Sequence, residues 1–290
     1  MRVVSLFDGI ACGLVALKKA GITVDEYHAF EIDKHAIDCA IANNPEIIEH
    51  GSVIGYDFSK FKNIDLLIGG SPCQDFSILG REKGFAGENG KLFFEFVRAL
   101  HEIKPKYFLF ENVVVKEEIR AQISKLLACP PIFINSRHFS AQNRKRLYWT
   151  NIPLQPLYCA QESNFLLKDI VDFSGKNVTQ KVIKYLSDEY INRRVQKVIK
   201  YTIVNDFYKK SKCVVAKCFL GCTQGIIFQR NNEYFIPSVS ELEKLQTLPV
   251  GYCKDMKYTN AVHAIGNAWN VNTIAFLFKG LINNEKINEQ

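Results

Sequence analysis

Apolar residues in the first third of the chain fall into short continuous runs that alternate with helix-like spacing. The run Val3 to Phe7 predicts a buried strand, and the spacing over Leu14 to Ala20 predicts a helix that ends at Gly21. The same order follows in Glu26 to Phe30, a second strand, and in Lys34 to Asn43, a second helix. Two strand-helix units in succession indicate parallel strands joined by crossover helices.

The alternation continues to residue 110. Ile64 to Ile68 predicts a third strand, Lys91 to Ile103 a strongly apolar helix, and Tyr107 to Phe110 a fourth strand. Strands that are mostly apolar along their whole length are typical of a parallel sheet with helices on both faces. The predicted fold class is therefore α/β, with a doubly wound sheet.

After Asn151 the pattern changes to short, mixed stretches without regular alternation. Helical spacing returns at Ser238, which with Glu241 has the S-x-x-E form of a capping box, and a final amphipathic helix is predicted over Asn272 to Ile282. We therefore predict a large domain interrupted by a smaller one, with 1–151 and 238–290 in the large domain and 152–237 in the small one.

Composition narrows the class of protein. The 290 residues are 47% hydrophobic, enough for a packed core, and no apolar run reaches the roughly 18 to 20 residues of a membrane span. The nine cysteines are odd in number and include no CxxC pair, so neither a disulfide framework nor a metal site is expected. The chain enters a strand directly, without a visible export signal, so a soluble intracellular protein is expected.

The formal net charge of +7 is concentrated in one segment. Residues 152–237 contain thirteen Lys and Arg against seven Asp and Glu, so +6 of the total lies there. Such a segment is either an ordinary solvated surface or a face that binds a polyanion, and charge alone does not decide between them.

Ligands of open parallel sheets bind at the carboxyl ends of the strands, so the residues after each strand form one candidate site. The first strand is followed by the turn Asp8 to Gly13, and the second by Glu31. A glycine turn with an acid about 20 residues further on is typical of an adenosine site, although the glycines also fit a plain tight turn. Because the pyrophosphate pattern GxGxxG is absent, the expected ligand is an adenosine without phosphates, such as S-adenosylmethionine.

Reactive side chains follow the other two strands. Cys73 lies in the loop Ser71 to Gln74, where a buried structural thiol is not expected, and it is a candidate nucleophile. Glu111 follows the fourth strand and is either an acid in catalysis or a carboxylate in a salt bridge. Arg144 and Arg146 are two residues apart, which on a strand directs both side chains the same way.

Six segments stand in order along the chain: Ser5 to Ala11, Gly69 to Cys73, Leu92 to Phe96, Phe110 to Val113, Arg144 to Arg146, and Gly266 to Val271. In this order they closely resemble the motifs of the DNA cytosine-5 methyltransferases, and among these the animal de novo type most. The resemblance covers the chain from Ser5 to about Phe278. It implies a Rossmann-like methyltransferase sheet with a small target recognition domain.

The resemblance also implies a role for each motif residue. Cys73 would attack C6 of cytosine, Glu111 would bind N3 and the 4-amino group, Arg146 would hold O2, and Arg144 would position the loop or a phosphate. S-adenosylmethionine, with S-adenosylhomocysteine as product, would be bound by Phe7, Asp8, Gly9, Ile10, Cys12, Glu31, Ile32, Ser52, Val53, Pro72, Leu92, Asn267, Ala268 and Trp269.

The implied partner is double-stranded DNA, from which the target cytosine must be flipped out. The loop 74–90 would close over the flipped base, and the basic segment 152–237 would be the target recognition domain. A monomer is favoured over an oligomer. DNA contacts are expected from Gln74, Ser77, Arg81, Arg193, Arg194, Lys197 and Lys200.

Two positions depart from the family's pattern. Twenty residues before Pro72, where the family usually has an aspartate for the adenine amino group, this chain has Ser52, and Asp57 lies five residues too late. Asn267 stands where the animal de novo enzymes have arginine and bacterial enzymes commonly have asparagine, which favours a compact microbial or viral relative.

Three other functions remain as alternatives. A group of tRNA cytosine-5 methyltransferases shares these motifs, so the substrate could be tRNA. An inactive methyltransferase-like protein that only binds DNA or a partner is a second alternative, and the intact Cys73, Glu111, Arg144 and Arg146 argue against it. A thiol enzyme on a dinucleotide-binding fold is the third, and it lacks a histidine paired with its cysteine.

Overall fold

The structure, a computed structural model, describes residues 1–72, 88–154, 164–178, 202–216 and 225–288 of the chain. The chain divides into two compact units. The first unit consists of Met1–Asn135, Lys145–Ala160 and Val271–Gln290, and the second of Ser136–Arg144 and Gln161–Asn270.

The described strands are, in chain order, β1 (Arg2–Leu6), β2 (Glu26–Phe30), β3 (Ile47–Glu49), β4 (Leu66–Gly69), β5 (Tyr107–Val113), β6 (Ile132–Asn135), β7 (Lys145–Thr150), β8 (Asn177–Val178), β9 (Thr202–Val204), β10 (Ile226–Arg230) and β11 (Glu233–Phe235). The described helices longer than one turn are α1 (Cys12–Ala20), α2 (Lys34–Asn43), α3 (Glu88–Ile103), α4 (Glu117–Leu126), α5 (Val239–Gln246), α6 (Tyr258–Asn267) and α7 (Val271–Asn288).

A seven-stranded sheet forms the centre of the first unit, in the order β3-β2-β1-β4-β5-β7-β6. Every neighbouring pair from β3 to β5 is parallel, while β7 runs antiparallel to both β5 and β6. The prediction of a doubly wound α/β sheet is confirmed. Strand β2 and helix α2 have the predicted bounds, and α1 ends at Gly21, whose φ of 80° places it in the left-handed region that glycine favours.

Strand β5 is longer than its apolar run predicts. It continues through Glu111 and Asn112 to Val113, because β7 pairs with it over this whole length, from Leu109 opposite Thr150 to Val113 opposite Arg146. Glu111 therefore lies within the strand rather than after it.

Aromatic side chains fill the core of the first unit on one side of the sheet. Phe93 and Phe96 of α3 pack against Phe110 of β5, which in turn lies 5.9 Å from the ring of Trp149. Glycine fits position 69 closely, since a Cβ there would lie 3.0 Å from the Leu6 carbonyl oxygen and 3.0 Å from the Phe96 ring. This packing fixes the end of β4, from which the loop to Cys73 departs.

The second unit contains a four-stranded sheet in the order β8-β11-β10-β9. Helix α5 begins at the predicted capping box: the Ser238 hydroxyl accepts from the Glu241 amide, and the Glu241 carboxylate accepts from the Ser238 amide. The buried Glu241 carboxylate also accepts from the amides of Asp172 and Phe173, at 3.0 Å each. These bonds tie α5 to the segment before β8.

The two compact units differ in their bounds from the predicted domains. Helices α5 and α6, predicted to return to the large domain, cluster with the second unit, as do residues 136–144. The reason is a set of long-range hydrogen bonds, such as those of Gln142 to the Leu245 carbonyl and the Gln246 side chain, both 3.0 Å. Helix α7 clusters with the first unit, where it packs against α1.

Among the described residues, no helix combines the length and the apolar character that crossing a bilayer requires.

Candidate active site

Five parallel strands bring the loops that follow them to one edge of the sheet. Because β3, β2, β1, β4 and β5 are neighbours in that order and run the same way, their carboxyl ends lie side by side. The glycine turn, Glu31 and the loop that begins at Gly70 therefore share this edge. We treat it, together with the adjoining part of β7, as the candidate active site of the first unit.

The turn between β1 and α1 has an unusual backbone. Phe7, Gly9 and Ala11 have left-handed φ angles of 59°, 61° and 57°, and only the glycine adopts such an angle without steric cost. Ala11 is the N-cap of α1 and makes no side-chain hydrogen bond to the helix. Apart from the two chain neighbours of Gly9, none of the described residues has an atom within 4 Å of the place where a Cβ on Gly9 would stand. The turn thus offers open space above its backbone, which the close approach of a ligand requires.

Two residues of this turn that we expected to contact the cofactor are buried. Ile10 is 1% exposed and Cys12 is 3% exposed. Helix α1 begins at Cys12 and buries its first three residues in the core, so these two side chains support the turn instead of facing the open edge.

Asp8 is held within the turn by two hydroxyl groups. The Ser5 hydroxyl and the Tyr27 hydroxyl both donate to Asp8 Oδ1, at 2.5 and 2.6 Å. Loss of solvation on burial raises the pKa of Asp8 to about 7, against the lowering effect of these two hydrogen bonds, and the nearby Glu49 and Glu31 carboxylates raise it further. Near neutral pH this carboxyl is therefore partly protonated.

Glu31 organises the backbone after β2. One carboxylate oxygen accepts from the Gly9 amide at 2.8 Å, and the other accepts from the amides of Ile32 and Asp33 at 2.8 and 2.9 Å. Glu31 thereby links the glycine turn to the end of β2. A ribose hydroxyl would have to share an oxygen that already accepts from a backbone amide.

Glu49 is a site residue that the sequence analysis missed. Its Oε1 accepts from the amides of Glu31, His50 and Gly51, at 3.1, 3.0 and 2.8 Å, and so joins the ends of β2 and β3. Burial raises the pKa of Glu49, while these three bonds lower it. The available signal was position: Glu49 is an acid at the end of β3, as Glu31 is an acid directly after β2. The strand β3 has only three residues, too few for a periodic pattern.

The loop 51–57 follows β3, and the two polar side chains considered for adenine, Ser52 and Asp57, both make local hydrogen bonds. The Ser52 hydroxyl accepts from the Ile54 amide at 3.1 Å, which closes a turn inside the loop. The Asp57 carboxylate accepts from the amide and hydroxyl of Ser59, at 3.2 and 2.6 Å, and caps a short 3₁₀ helix. Val53 is 5% exposed and belongs to the aromatic core.

Other predicted cofactor residues of this unit differ in exposure. Ile32 is 78% exposed at the end of β2, a large apolar side chain in contact with solvent beside Glu31. Leu92 on α3 is half-buried against the aromatic core, and Pro72 is half-buried at the end of the described loop. Ile32 thus offers an apolar surface that a flat ring could cover.

Several predicted site residues lie outside the described residues. They are the proposed nucleophile Cys73 and the expected DNA contacts Gln74, Ser77, Arg81, Arg193, Arg194, Lys197 and Lys200. Ser71, two residues before Cys73 in the sequence, is described: it is buried, and its hydroxyl accepts from the Asn112 amide group at 3.4 Å. This contact joins the loop after β4 to the residue that follows Glu111.

Glu111 and Arg146 form an ion pair across β5 and β7. Arg146 Nε lies 2.7 Å from Glu111 Oε1, and the two side chains are 13% and 10% exposed. Arg146 also donates through Nη1 to the Lys145 carbonyl oxygen at 2.8 Å. Of the two interpretations of Glu111, the salt bridge is present, and it holds a carboxylate and a guanidinium together at the site edge.

Arg144 does not share a strand with Arg146, which corrects the prediction of a paired arrangement. Strand β7 begins at Lys145, and Arg144 belongs to the second unit. Its side chain is buried there, with the guanidinium donating to the carbonyl oxygens of Val214 at 3.0 Å and Ala268 at 2.8 Å. A further contact reaches the Gly266 carbonyl oxygen at 3.4 Å. These bonds engage Arg144 with the backbone of its own unit.

The closing motif residues also belong to the second unit. Asn267 is the last residue of α6 and is exposed, Ala268 is buried, and Trp269 is half-buried. The Ala268 carbonyl oxygen accepts from Arg144 and from the Gln246 side chain, at 2.8 and 3.1 Å. Two buried polar side chains therefore fix the backbone of this motif.

A polar groove of about 360 Å³ lies on the second unit. Arg230 is held there with its guanidinium 4.0 Å from the centre of the Phe173 ring. Four amide side chains, one aromatic ring and one arginine line the groove: Asn205, Phe207, Gln229, Arg230, Asn231 and Asn232. Within the described parts of the chain, no group of three or more His, Cys, Asp or Glu side chains is arranged to hold a metal ion.

Comparison with known proteins agrees with the resemblance drawn from the motifs. Residues 1–125 match the family model described as C-5 cytosine-specific DNA methylase. Orphan methyltransferase M.SPRI of Bacillus phage SPR is 37% identical over 196 residues, covering 62% of this chain and 43% of the relative. Orphan methyltransferase M.Rho11sI of Bacillus phage rho11s is 30% identical over 229 residues, covering 72% of this chain and 45% of the relative. The chain thus spans less than half the length of these two relatives.

Among solved structures, the methyltransferase EhMeth of Entamoeba histolytica aligns with a TM-score of 0.76 at 14% identity, covering 98% of each chain. At this identity the likeness shows the fold, a Rossmann-like methyltransferase fold. Residues 1–125 thus match the C-5 cytosine-specific DNA methylase family model, and the two phage relatives that align with this chain are named as methyltransferases.

Proposed function

We propose that this protein transfers a methyl group from S-adenosylmethionine to C5 of cytosine in DNA. The observation that carries the proposal is the Ser71–Asn112 contact beside the Glu111–Arg146 pair. Through it, the loop that leads to Cys73 lies against the strand that carries Glu111. Cytosine methylation needs a nucleophile, a carboxylate and a guanidinium; Glu111 and Arg146 supply the last two at this sheet edge, and Cys73 is assigned as the nucleophile.

Cys73 makes C5 reactive in this mechanism. C5 of cytosine is a weak nucleophile, and addition of the Cys73 thiolate to C6 places an electron pair on C5. C5 then takes the methyl group, its proton leaves, and the Cys73–C6 bond breaks to restore the aromatic ring and the thiolate. Because C6 is inaccessible in stacked DNA, the base must be flipped out, at a cost of about a few kcal/mol.

Glu111 and Arg146 bind the cytosine ring while charge develops on it. The Glu111 carboxyl group faces N3 and the 4-amino group, and the Arg146 guanidinium faces O2. Their ion pair, largely shielded from water, sets the angle between the two groups before cytosine arrives. Arg144, which we first expected to position a loop or phosphate, instead supports the backbone of the closing motif through its carbonyl contacts.

The residues after β1, β2 and β3 fit a bound adenosine. The open space above Gly9 admits a ligand close to the backbone, and the exposed Ile32 offers an apolar surface for the adenine ring. Glu31 is assigned as the acceptor for the ribose hydroxyls, and Ser52, Pro72 and Leu92 are assigned to the adenine, with Val53 supporting the loop from the core. S-adenosylmethionine, when bound, supplies the methyl group. Phe7 and Asp8 hold the turn, and Asn267, Ala268 and Trp269 are assigned to the cofactor on the motif resemblance alone.

Double-stranded DNA is the proposed partner, bound through the basic residues of 152–237. The amide side chains that line the polar groove carry both donors and acceptors, the groups that read base edges. The phosphate contacts are assigned to Arg193, Arg194, Lys197 and Lys200, and the contacts around the flipped base to Gln74, Ser77 and Arg81.

Methyl transfer from labelled S-adenosylmethionine to DNA and to tRNA tests this function. We expect transfer to DNA and not to tRNA, and a covalent adduct with DNA that contains 5-fluorocytosine, since C5 then has no proton to lose. Cys73→Ser should abolish both transfer and adduct, whereas Cys129→Ser, at a half-buried thiol of the same unit, should retain them. Transfer to tRNA alone, or activity of the Cys73→Ser variant, would overturn the proposal.

A further inference from the structure

Arg98 on α3 uses every donor of its guanidinium within the first unit. Nε and Nη2 donate to Glu95 Oε2 at 3.1 and 2.6 Å, and Nη1 donates to Glu102 Oε1 at 3.1 Å. The remaining two N–H groups donate to the backbone carbonyl oxygens of Tyr56 at 2.7 Å and Val53 at 3.1 Å. An arginine has five N–H donors in a fixed planar fork, so this residue is fully committed.

The two carbonyls that Arg98 binds belong to the loop 51–57. The loop contains two left-handed glycines, Gly51 and Gly55, with φ angles of 76° and 74°, positions at which glycine restricts the backbone less than other residues do. The carbonyls of Val53 and Tyr56 flank the second glycine, and binding both to one rigid fork fixes the distance between them. Arg98 therefore acts as a clamp that holds the loop backbone on both sides of Gly55.

The clamp is itself anchored at several points. The Arg98 guanidinium lies 4.6 Å from the centre of the Phe58 ring, just after the loop. Glu102, the second acidic partner of Arg98, accepts from the Phe58 amide at 3.0 Å. Arg98, Glu95 and Glu102 are only 24 to 32% exposed, so solvent screens these charge pairs less than it does at the open surface.

We propose that Arg98 is a positioning residue for the adenine of S-adenosylmethionine, acting through the backbone of loop 51–57. Ser52 has a hydroxyl where the family usually has a carboxylate, and this hydroxyl closes a turn within the loop. Asp57 lies five residues further on, and its Oδ1 caps the following 3₁₀ helix through Ser59. Recognition of the adenine edge in this chain falls to backbone groups of the loop, and backbone groups recognise a ligand only when their positions are fixed. This inference rests on the proposed function, since it assumes that adenine lies against the loop.

The test measures binding of two ligands by calorimetry: S-adenosylhomocysteine, and S-inosylhomocysteine, in which the adenine amino group is replaced by a carbonyl oxygen. Arg98→Lys keeps the charge but cannot hold two carbonyls and two carboxylates at once. We expect the variant to bind S-adenosylhomocysteine about tenfold more weakly and S-inosylhomocysteine with nearly unchanged affinity, so that discrimination between them falls. The KM for S-adenosylmethionine should rise, while kcat and the KM for DNA stay the same.

Arg120→Lys is the matched control, because Arg120 pairs with Glu117 on the exposed surface of α4. Glu95→Gln is a second, milder variant that weakens the anchoring of Arg98 and leaves both loop carbonyls bound; it should shift discrimination in the same direction. If both α3 variants lose thermal stability but keep the discrimination of wild type, Arg98 is structural and the inference is wrong. If the wild type binds neither ligand, the proposed function itself fails.

Discussion

Glu111 and Arg146 stand on antiparallel strands with 2.7 Å between carboxylate and guanidinium, and both side chains are about nine-tenths buried. In such an environment a charge pair has little competition from water, so each partner holds the other in one orientation. Removal of either partner leaves a buried charge without compensation. The pair is therefore expected to matter for both stability and activity, and the two effects can be separated.

Glu111→Gln should lower kcat about 10²- to 10³-fold, as expected for loss of a group that binds the developing charge. It should also destabilise the fold by about 3 to 5 kcal/mol, because the Arg146 charge loses its partner. In the double variant Glu111→Gln, Arg146→Met, the free energy of unfolding should recover while kcat does not. Urea unfolding and steady-state kinetics measure the two quantities. Full activity of the double variant would show that Glu111 and Arg146 take no part in catalysis.

Asp8→Asn should change how stability depends on pH. The folded-state pKa of Asp8, about 7, lies above its unfolded value, so the folded state holds more protons between about pH 4 and 7 and the wild type loses stability as pH rises through that range. Asparagine stays neutral and still accepts from Ser5 and Tyr27. Relative to wild type, the free energy of unfolding of the variant should therefore rise by up to about a few kcal/mol between pH 4 and pH 8. A difference in unfolding free energy that does not vary with pH would contradict this assignment.

Arg144→Lys should destabilise the second unit without weakening the electrostatic part of DNA binding. A single ammonium group cannot replace the contacts to the carbonyls of Val214, Gly266 and Ala268, and each unsatisfied buried carbonyl costs about 1 to 3 kcal/mol. Arg137→Lys, at an exposed position of the same unit, is the control. If the Arg144→Lys variant had a normal melting temperature but a reduced salt dependence of DNA binding, Arg144 would contact a DNA phosphate instead of supporting the fold.

Glu31→Ala should weaken S-adenosylhomocysteine binding by roughly 1.5 to 3 kcal/mol, since it removes an acceptor for ribose and frees the Gly9 amide. Ser52→Asp should leave the affinity unchanged or improved, because an aspartate at this position still accepts from the Ile54 amide and adds an acid near adenine. Calorimetry on both variants checks the pair of expectations. A marked loss of affinity in Ser52→Asp would show that the loop 51–57 does not face the adenine.

Neutralising Arg193, Arg194, Lys197 and Lys200 together should flatten the salt dependence of DNA binding. Each phosphate contact that is lost should reduce the slope of log K against log salt by about 0.9, while the affinity for S-adenosylhomocysteine stays the same.

A matched control for that variant replaces four exposed lysines of the first unit: Lys19, Lys34, Lys60 and Lys62. This control should keep the wild-type slope in fluorescence anisotropy titrations. The reverse result, with the slope reduced only in the control, would move the DNA-binding face to the first unit.

Local pattern determined the early elements of this protein. Strand β2 and helix α2 have their predicted bounds, and α1 ends at its predicted glycine, because burial on both faces and helix ends leave signals within a few residues. The order of six motifs likewise gave the resemblance with which the family match over residues 1–125 agrees, since those motifs are read directly from the sequence.

Only the tertiary structure decided how distant residues pair. Strand β5 extends through Glu111 because β7 pairs with it, and Arg144 is buried among carbonyls that lie 70 to 124 residues further along the chain. Arg98 reaches a loop 45 residues before it, where its partner atoms are backbone oxygens that carry no sequence signal. Periodicity reports which side of an element is buried, and it does not report which residue of another element meets it there. The site's geometry therefore depends on contacts that no local pattern contains.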